Sequence, residues 1–256
     1  MRALLTTGLL LGAALLATAA PARAEEEIQL PKQNWSFNGP FGTFDRASAQ
    51  RGFQVYNEVC SACHSLRLLS FRNLAGIGLT EAQIRAIAAS KTVPGELDDE
   101  GKPTTRPGLP GDRFPNPFPN DKAARSANNG ALPPDQSLLV KAREGGADYI
   151  YALVGKGYVD APAGDKVPDG SYYNTYFPGH HIHMPPPLSD GSVTYADGTK
   201  ATVAQEAKDV STFLYFASNP EMEARKHLGI RVVGYLLLMT GVTYAVKKKV
   251  WANIQH

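Results

Sequence analysis

Cysteine is scarce in this sequence. Cys60 and Cys63 are the only two among 256 residues, and a disulfide between residues so close in the chain would be short and strained. A structural zinc site would need a second cysteine or histidine pair at suitable spacing. A thioredoxin-like redox motif would need a strand–helix–strand setting, and the sequence around the pair gives no sign of one. The pair therefore points to a different chemistry.

Sheet signals are missing as well. The chain has no internal repeat and no long stretch in which apolar and polar residues alternate. Capping residues and helical spacing predict helices over 45–59, 80–90, 134–143, 147–154 and 202–219. Proline, glycine and turn-forming residues predict loops over 25–44, 92–120 and 155–200. We expect a mainly α body with long loops, of which two or three could wrap a cofactor.

The two cysteines belong to the sequence Cys60-Ser61-Ala62-Cys63-His64, which has the spacing C-x-x-C-H. This spacing is the attachment signature of c-type haem. Each thiol can add to one haem vinyl group, and the intervening residues allow one helical turn to reach both vinyls. The following residue, His64, would then lie beneath the iron and supply the proximal imidazole. The sequence therefore predicts covalently bound haem.

A haem iron needs a sixth ligand or an open coordination site, and methionine opposite histidine suits electron transfer. The chain has four methionines. Besides the initiator, Met222 lies at the edge of a C-terminal apolar segment and Met239 lies inside it, which leaves Met184. Three prolines follow Met184 and stiffen the chain there. His181 and His183 stand beside it and are alternative ligands of the iron or of a second metal.

The N-terminus has the pattern of a secretory signal. A charged start, an apolar stretch over 3–20 and a small-x-small ending at Ala24 follow one another. We expect cleavage after Ala24. The alternative is an uncleaved N-terminal anchor, for which the apolar stretch is long enough.

A second apolar segment, Leu228–Val246, has 19 residues. As a helix it would span about 28 Å, close to the hydrocarbon thickness of a bilayer. Arg231 lies in its first turn, where it could snorkel to the interface, and lysines 247–249 and Trp251 follow its end. The lysines place that end in the cytoplasm and the body on the other side of the membrane. The alternative is a buried core helix with a basic end.

Together the two ends divide the chain into a signal peptide (1–24), an exported haem domain (25–224) and a transmembrane anchor with a short basic cytoplasmic tail (225–256). The exported part holds 18 basic and 24 acidic side chains, a net charge of −6. This charge disfavours binding to nucleic acid and favours a basic partner. The acidic cluster at Glu96–Glu100 is one candidate surface for such a partner, and a solvated loop is the alternative.

Three separated blocks of the chain resemble the cytochrome c1 family, whose members are haem subunits of the ubiquinol–cytochrome c oxidoreductase (the cytochrome bc1 complex). They are Arg51–Ser65, Ala127–Tyr149 and Met184–Leu188, followed by the single C-terminal anchor. The resemblance covers nearly all of the chain. The sequence departs from the family in lacking the second cysteine pair that forms a disulfide in some bacterial members. It also has Gln136 where leucine is frequent, and histidines beside Met184.

The resemblance implies a cytochrome c-like helical haem domain with long loops and one C-terminal transmembrane helix. It implies one covalently attached haem c, held by Cys60 and Cys63, with His64 and Met184 as axial ligands. It also implies contacts from the haem propionates to Arg143 and Tyr149, and a pocket lined by Asn128, Pro133 and Pro134. From the residues alone, Arg143 could be a solvated surface charge and Tyr149 a packing residue.

The resemblance also implies a function and a location. Electrons would pass from the Rieske iron–sulfur protein, in a complex with cytochrome b, to this haem and then to a soluble or anchored cytochrome c. The haem domain would face the periplasm from a bacterial inner membrane, and no catalytic acid, base or nucleophile is expected. The residues leave three other functions open: the haem subunit of another respiratory complex, a c-haem peroxidase, and metal storage at residues 180–184.

Overall fold

The computed structural model describes residues 28–253, so the predicted signal peptide over 1–24 lies outside the described residues. The helices within this range are α1 (Arg46–Glu58), α2 (Glu81–Ala89), α3 (Asp121–Ala127), α4 (Ala147–Gly155), α5 (Val203–Ser218) and α6 (Met222–Val250). Two 3-10 segments are Cys60–Ala62 and Phe71–Ile77. The strands are β1 (Thr92–Leu97), β2 (Pro103–Pro107), β3 (Tyr172–Tyr173) and β4 (His181–Ile182). The mainly α prediction is confirmed.

Three helices begin at the capping residues that the sequence predicts. The Asp45 side chain accepts a hydrogen bond from the backbone N–H of Ser48 at the start of α1. Thr80 and Gln83 form a reciprocal capping box at the start of α2. Thr202 accepts from the backbone N–H of Gln205 at the start of α5, whereas the Gln205 side chain donates to Asp209 instead of closing the box.

α1 and α5 cross at close range in the core. Gly52 on α1 permits this approach, because a Cβ at that position would lie 1.9 Å from the backbone oxygen of Asp209 on α5. Phe53 and Phe213 pack edge to face beside the crossing, with ring centroids 5.5 Å apart. α4 also packs against α5. The C-terminal end of α1, which leads into the C-x-x-C-H motif, is therefore fixed by the core.

The predicted helix over 134–143 is wrong. This segment forms a series of turns. Its side chains bind the backbone of another segment: Asp135 accepts from the N–H of Arg67 at 2.9 Å, and Ser137 accepts from the N–H of Leu68 at 3.0 Å. Such side-chain-to-backbone bonds compete with helix formation, and here they join two parts of the chain that the sequence keeps far apart.

The prediction of a loop over 92–120 is also wrong in part. β1 and β2 pair antiparallel into a hairpin in which Val93 lies opposite Arg106. Prolines 94, 103 and 107 are tolerated because both strands of a two-stranded sheet have a free edge. Val93 is buried locally, yet the hairpin contributes no residue to the main hydrophobic core.

α6 runs without interruption over 29 residues and, within 28–253, is the helix long and apolar enough to cross a membrane. It begins inside the body, because Met222 in its first turn is fully buried in the core. Glu223 then accepts from the Arg46 guanidinium at 2.7 Å. From Leu228 onward the large apolar side chains are exposed. The predicted apolar helix is confirmed, but it starts earlier than the apolar segment alone indicates.

Candidate haem-binding site

The attachment motif forms one tight turn directly after α1. The backbone N–H groups of Cys63 and His64 both donate to the carbonyl oxygen of Cys60, at 3.1 and 2.9 Å. Cys60 packs partly buried against the core, whereas Cys63 is exposed. Burial, with a smaller contribution from Cys63, raises the pKa of the Cys60 thiol to about 12, so that it stays protonated at neutral pH. The turn therefore presents two thiols and an imidazole within five consecutive residues.

The imidazole of His64 is oriented by a backbone carbonyl. Its Nδ1 lies 2.8 Å from the carbonyl oxygen of Pro134, which can only accept a hydrogen bond. Nδ1 therefore carries the proton, and Nε2 keeps the lone pair that a metal ligand needs. Burial lowers the pKa of His64, against smaller raising effects of the Pro134 hydrogen bond and the Asp135 charge. The ring is thus neutral and correctly tautomerised for ligation at neutral pH.

Asp135 holds the Pro134 segment beside the attachment turn. Its Oδ2 accepts from the hydroxyl of Ser65 at 2.7 Å and from the backbone N–H of Arg67 at 2.9 Å. Burial alone would raise the pKa of this carboxyl, but the hydrogen bonds from Arg67, Ser137 and Ser65 outweigh it, and the pKa is lowered. Asp135 is therefore ionised at neutral pH and acts as a fixed acceptor.

A pocket of about 290 Å³ lies next to this contact. Pro134 and Arg143 belong to its lining, together with the apolar side chains of Leu68, Leu138 and Leu139. Arg143 is exposed, and its guanidinium forms no salt bridge with a carboxylate of the described range. Tyr149 on α4 is buried and lies close enough to Arg143 for the guanidinium charge to affect the pKa of its phenol. Burial raises the pKa of Tyr149, and Arg143 opposes that shift.

Met184 follows β4 and is half-buried against the core. The hydroxyl of Tyr158 donates to its backbone carbonyl oxygen at 3.0 Å. The neighbouring histidines are placed differently, since the Nε2 of His181 lies 2.9 Å from the carboxylate of Asp165 and His183 is exposed. Among residues 28–253, no three His, Cys, Asp or Glu side chains are grouped so as to hold a metal ion.

The structure links most of the predicted site residues. His64 contacts Pro134, Pro134 shares a pocket with Arg143, and Arg143 neighbours Tyr149. Tyr149 in turn is close to Tyr158, which binds the Met184 carbonyl. Two predicted residues stand apart from this chain of contacts. The side-chain amide of Asn128 donates to Ala124 at the end of α3, and Pro133 is half-buried with no polar contact to the others.

Asp135 and Tyr158 are the residues that sequence reasoning missed. Both act by binding backbone groups of distant segments, so no local pattern marks them. Asp135 stands directly after Pro133-Pro134 in a block that resembles the family, which is a signal that could have drawn attention to it. Tyr158 lies in a glycine- and proline-rich loop and carries no comparable signal.

The donor set suits a c-type haem. Two thiols on one turn match the two vinyl groups, and an imidazole with Nε2 available follows directly. Beside them lie an apolar pocket edge and the Arg143 guanidinium, which donates to the carbonyl oxygen of Ala142 at 3.0 Å and forms no salt bridge within residues 28–253. These suit the ring and its carboxylates. The helical body and this site define a c-type cytochrome domain joined to one long apolar helix.

Comparison with known proteins gives the family. The model of the Cytochrome C1 family matches residues 35–254. A Rhodospirillum rubrum protein named cytochrome c1 is 44% identical over 100% of this chain and 98% of its own length. A Candida albicans protein named cytochrome b-c1 complex catalytic subunit, mitochondrial, is 50% identical over 93% of this chain and 82% of its own length. A Bradyrhizobium diazoefficiens protein named cytochrome b/c1 is 48% identical, and the chain covers 38% of that protein's length.

This chain belongs to the cytochrome c1 family. Cytochrome c1 is the haem subunit of the cytochrome bc1 complex and an electron-transport protein. The predicted family is therefore confirmed, and the family implies a c-type haem.

Proposed function

We propose that this chain carries one haem c, attached through Cys60 and Cys63, with His64 and Met184 as axial ligands. The observation that carries the proposal is the 2.8 Å contact between His64 Nδ1 and the Pro134 carbonyl oxygen, because it reserves Nε2 for the iron. When bound, a haem iron supplies one-electron chemistry by alternating between the ferric and ferrous states. The protein residues position this group, and none is proposed to act as a catalytic acid, base or nucleophile.

Met184 is the proposed sixth ligand rather than His181 or His183. It packs partly buried against the core, while the imidazole of His181 is engaged by Asp165 and His183 faces solvent. A thioether opposite an imidazole raises the reduction potential of the iron and fills both axial positions, which suits an electron carrier.

Arg143 and Tyr149 are the proposed partners of the haem propionates. Arg143 lines the pocket beside Pro134 and has no carboxylate partner in the described range, so its guanidinium is available for paired, charge-assisted hydrogen bonds. Tyr149 would add a phenolic donor from α4. Asn128, Pro133 and Pro134 are proposed to line the rest of the pocket. Only Pro134 among these contacts another proposed site residue directly, through its carbonyl oxygen.

We propose that the haem accepts electrons from a Rieske iron–sulfur protein and passes them to a soluble or anchored cytochrome c during quinol oxidation. Cytochrome b is the proposed membrane partner, which is supported by the relative whose name joins cytochrome b with c1. The net charge of −6 over 25–224 supports a basic acceptor, because opposite charges accelerate the encounter. The exposed acidic hairpin end at Glu96–Glu100 is one proposed contact.

The proposed topology divides the chain into a cleaved signal (1–24), a periplasmic haem domain (25–224) and a membrane anchor with a cytoplasmic tail (225–256). It would place the protein in a bacterial inner membrane with a single span. Support comes from the length and composition of α6 and from the lysines 247–249 after its apolar part.

The first experiment is a gentle detergent purification through a C-terminal tag, followed by optical spectra and a quinol–cytochrome c reductase assay. We expect b-type haem to co-purify, with inhibitor-sensitive activity that falls as the ionic strength rises. A lone c-type haem protein without activity would contradict the proposed complex and favour another anchored electron carrier. Activity that is indifferent to salt would contradict the basic acceptor.

A second experiment tests the axial ligand in the full chain. Met184→Leu removes the thioether, and we expect the reduction potential of the haem to fall because methionine ligation raises it. His183→Leu is the matched control, and we expect its potential and spectrum to equal those of the wild type. The opposite pattern would assign the sixth position to His183.

A further inference from the structure

An uncharged loop lies beside the start of α6. Residues 33–44 contain no acidic or basic side chain, although the body around them carries many. At its tip, Gly39–Gly42 forms a tight turn in which the N–H of Gly42 donates to the carbonyl oxygen of Gly39 at 3.4 Å. We refer to these four residues as the GPFG turn.

The GPFG turn exposes Phe41 to solvent. Gly39 has a φ of +72°, and a Cβ at Gly42 would lie 2.1 Å from the backbone oxygen of Asn38, so both ends of the turn require glycine. The ring of Phe37, before the turn, stacks on Tyr215 with centroids 3.7 Å apart, inside the core. Phe41 is 79% exposed, more than any other large hydrophobic residue of the described range, including those on α6.

Hydrogen bonds join the base of the GPFG turn to α6. The Lys226 ammonium donates to the carbonyl oxygens of Phe37, before the turn, at 2.7 Å and of Gly42, its last residue, at 3.0 Å. The backbone N–H of Phe44 donates to Glu223 at 2.8 Å. Successive contacts thus follow α6 from Glu223 in its first turn to Lys226, which binds the last residue of the GPFG turn. Because a helix rises about 1.5 Å per residue, Lys226 is about 3 Å before the apolar part that begins at Leu228.

We propose that the GPFG turn inserts Phe41 into the interfacial layer of the lipid bilayer beside α6. The haem domain would then have a second contact with the membrane besides the helix itself. Phenylalanine is among the residues that bury at the boundary of headgroups and acyl chains, and an uncharged turn enters this layer without the cost of desolvating an ion. The exposed Arg225, next to Lys226 on α6, supplies positive charge for lipid phosphates. A helix alone leaves the domain free to tilt, whereas two contacts fix its orientation to the membrane plane.

This inference rests on the proposed topology, in which α6 spans the bilayer. The test must therefore report on the helix and on the turn separately. Three exposed apolar positions serve this purpose: Phe41 in the turn, Leu237 on α6 at 69% exposure, and Leu97 in the β1–β2 hairpin at 65% exposure. Each is replaced in turn by the photoreactive p-benzoylphenylalanine in the haem-loaded full chain within its native membrane. After illumination, radiolabelled phospholipid and neighbouring subunits attached to the chain are identified by mass.

We expect a phospholipid adduct at position 41 that exceeds the adduct at position 97 several-fold. A protein adduct at position 41, no adduct there, or an equal phospholipid adduct at position 97 would each overturn the inference. Position 237 is expected to give adducts with phospholipid or with a membrane subunit. If position 237 gives neither, the proposed topology itself fails, and the insertion of Phe41 fails with it. A lipid adduct at 237 without one at 41 overturns the inference alone.

Discussion

The phenolic hydroxyl of Tyr158 donates a 3.0 Å hydrogen bond to the backbone carbonyl oxygen of Met184. This bond joins the loop after α4 to the segment after β4, across 26 positions of sequence. The loop is itself fastened nearby, because the side-chain amide of the buried Asn174 donates to Leu153 on α4 at 3.0 Å. The proposed sixth ligand therefore sits on a backbone that α4 holds in place.

Removing this hydroxyl tests whether it positions Met184. Tyr158→Phe keeps the ring and leaves the Met184 carbonyl oxygen without its partner, so we expect a loss of about 1 kcal/mol in the free energy of unfolding. A looser thioether should also lower the haem reduction potential. Denaturant titration and redox titration measure the two effects. Tyr172→Phe, at a 42% exposed tyrosine on β3, is the control and should change neither. An unchanged potential in the Tyr158 variant would refute the positioning role.

We expect Asp135 to contribute more to stability and to the orientation of His64 than an exposed acidic residue does. Asp135→Asn removes the charge that accepts from the Ser65 hydroxyl and the Arg67 N–H, and we expect a loss of about 1–3 kcal/mol in the free energy of unfolding. The His64 imidazole should lose orientation because Pro134 shifts, which optical spectra of the haem would report. Asp169→Asn, at an exposed loop position, should have no effect on either measurement. Equal behaviour of the two variants would argue against the role of Asp135.

The ion pair between α1 and α5 is expected to be a major contribution to stability. Arg51 donates from Nε to Asp209 at 2.8 Å and from Nη1 to the exposed Asp197, also at 2.8 Å, while the Asp209 side chain is fully buried. Arg51→Ala would leave a buried carboxylate without its counter-ion, which costs about 3–5 kcal/mol. Asp197→Asn removes only the exposed partner and should cost about 0–1 kcal/mol. Similar losses in the two variants, measured by chemical denaturation, would show that burial of Asp209 does not set the penalty.

Glu206 on α5 should make stability depend on pH. The residue is fully buried, and only its Oε1 has a partner, the N–H of Val193 at 3.3 Å. Burial raises the pKa of this carboxyl, and the hydrogen bond from Val193 lowers it by less. The native state therefore holds the proton more tightly than the unfolded chain, in which glutamate titrates near about 4.3. This stabilisation is complete below that pH and is lost as pH rises through the raised pKa.

Glu206→Gln carries no charge and keeps an acceptor for Val193. We expect it to exceed the wild type in thermal stability at about pH 8 and to lose this advantage as the pH falls toward about 4. Thermal unfolding followed by circular dichroism over this range provides the measurement. Glu100→Gln, at an exposed position, should follow the wild type throughout. A constant difference between Glu206→Gln and wild type at all pH values would contradict a raised pKa.

Features that depend on a few consecutive residues could be predicted from the sequence. The caps at Asp45, Thr80 and Thr202 fix helix starts because each binds a backbone N–H three residues away. The attachment motif is equally local, since its spacing matches one turn. The apolar part of α6 is recognised by composition alone, because no other helix within residues 28–253 has its length and hydropathy.

Features that depend on distant residues could not be predicted. The segment over 134–143 has a helical pattern, yet Asp135 and Ser137 bind the backbone near residue 67, and these tertiary bonds replace the helix. The hairpin over 92–107 was missed because its prolines usually mark loops, and only a pairing partner shows that both strands can spare their N–H groups.

The sequence by itself determined the class of cofactor, the family and the apolar helix, because each depends on short motifs or segments of consecutive residues. Tertiary structure alone decided where that helix begins, since Glu223 meets Arg46 across 177 positions of sequence. It also decided how the site is held. The carbonyl oxygens of Pro134 and Met184 accept hydrogen bonds from His64 and Tyr158. Every residue has the same backbone carbonyl group, so the sequence does not show which of them will bind a distant side chain.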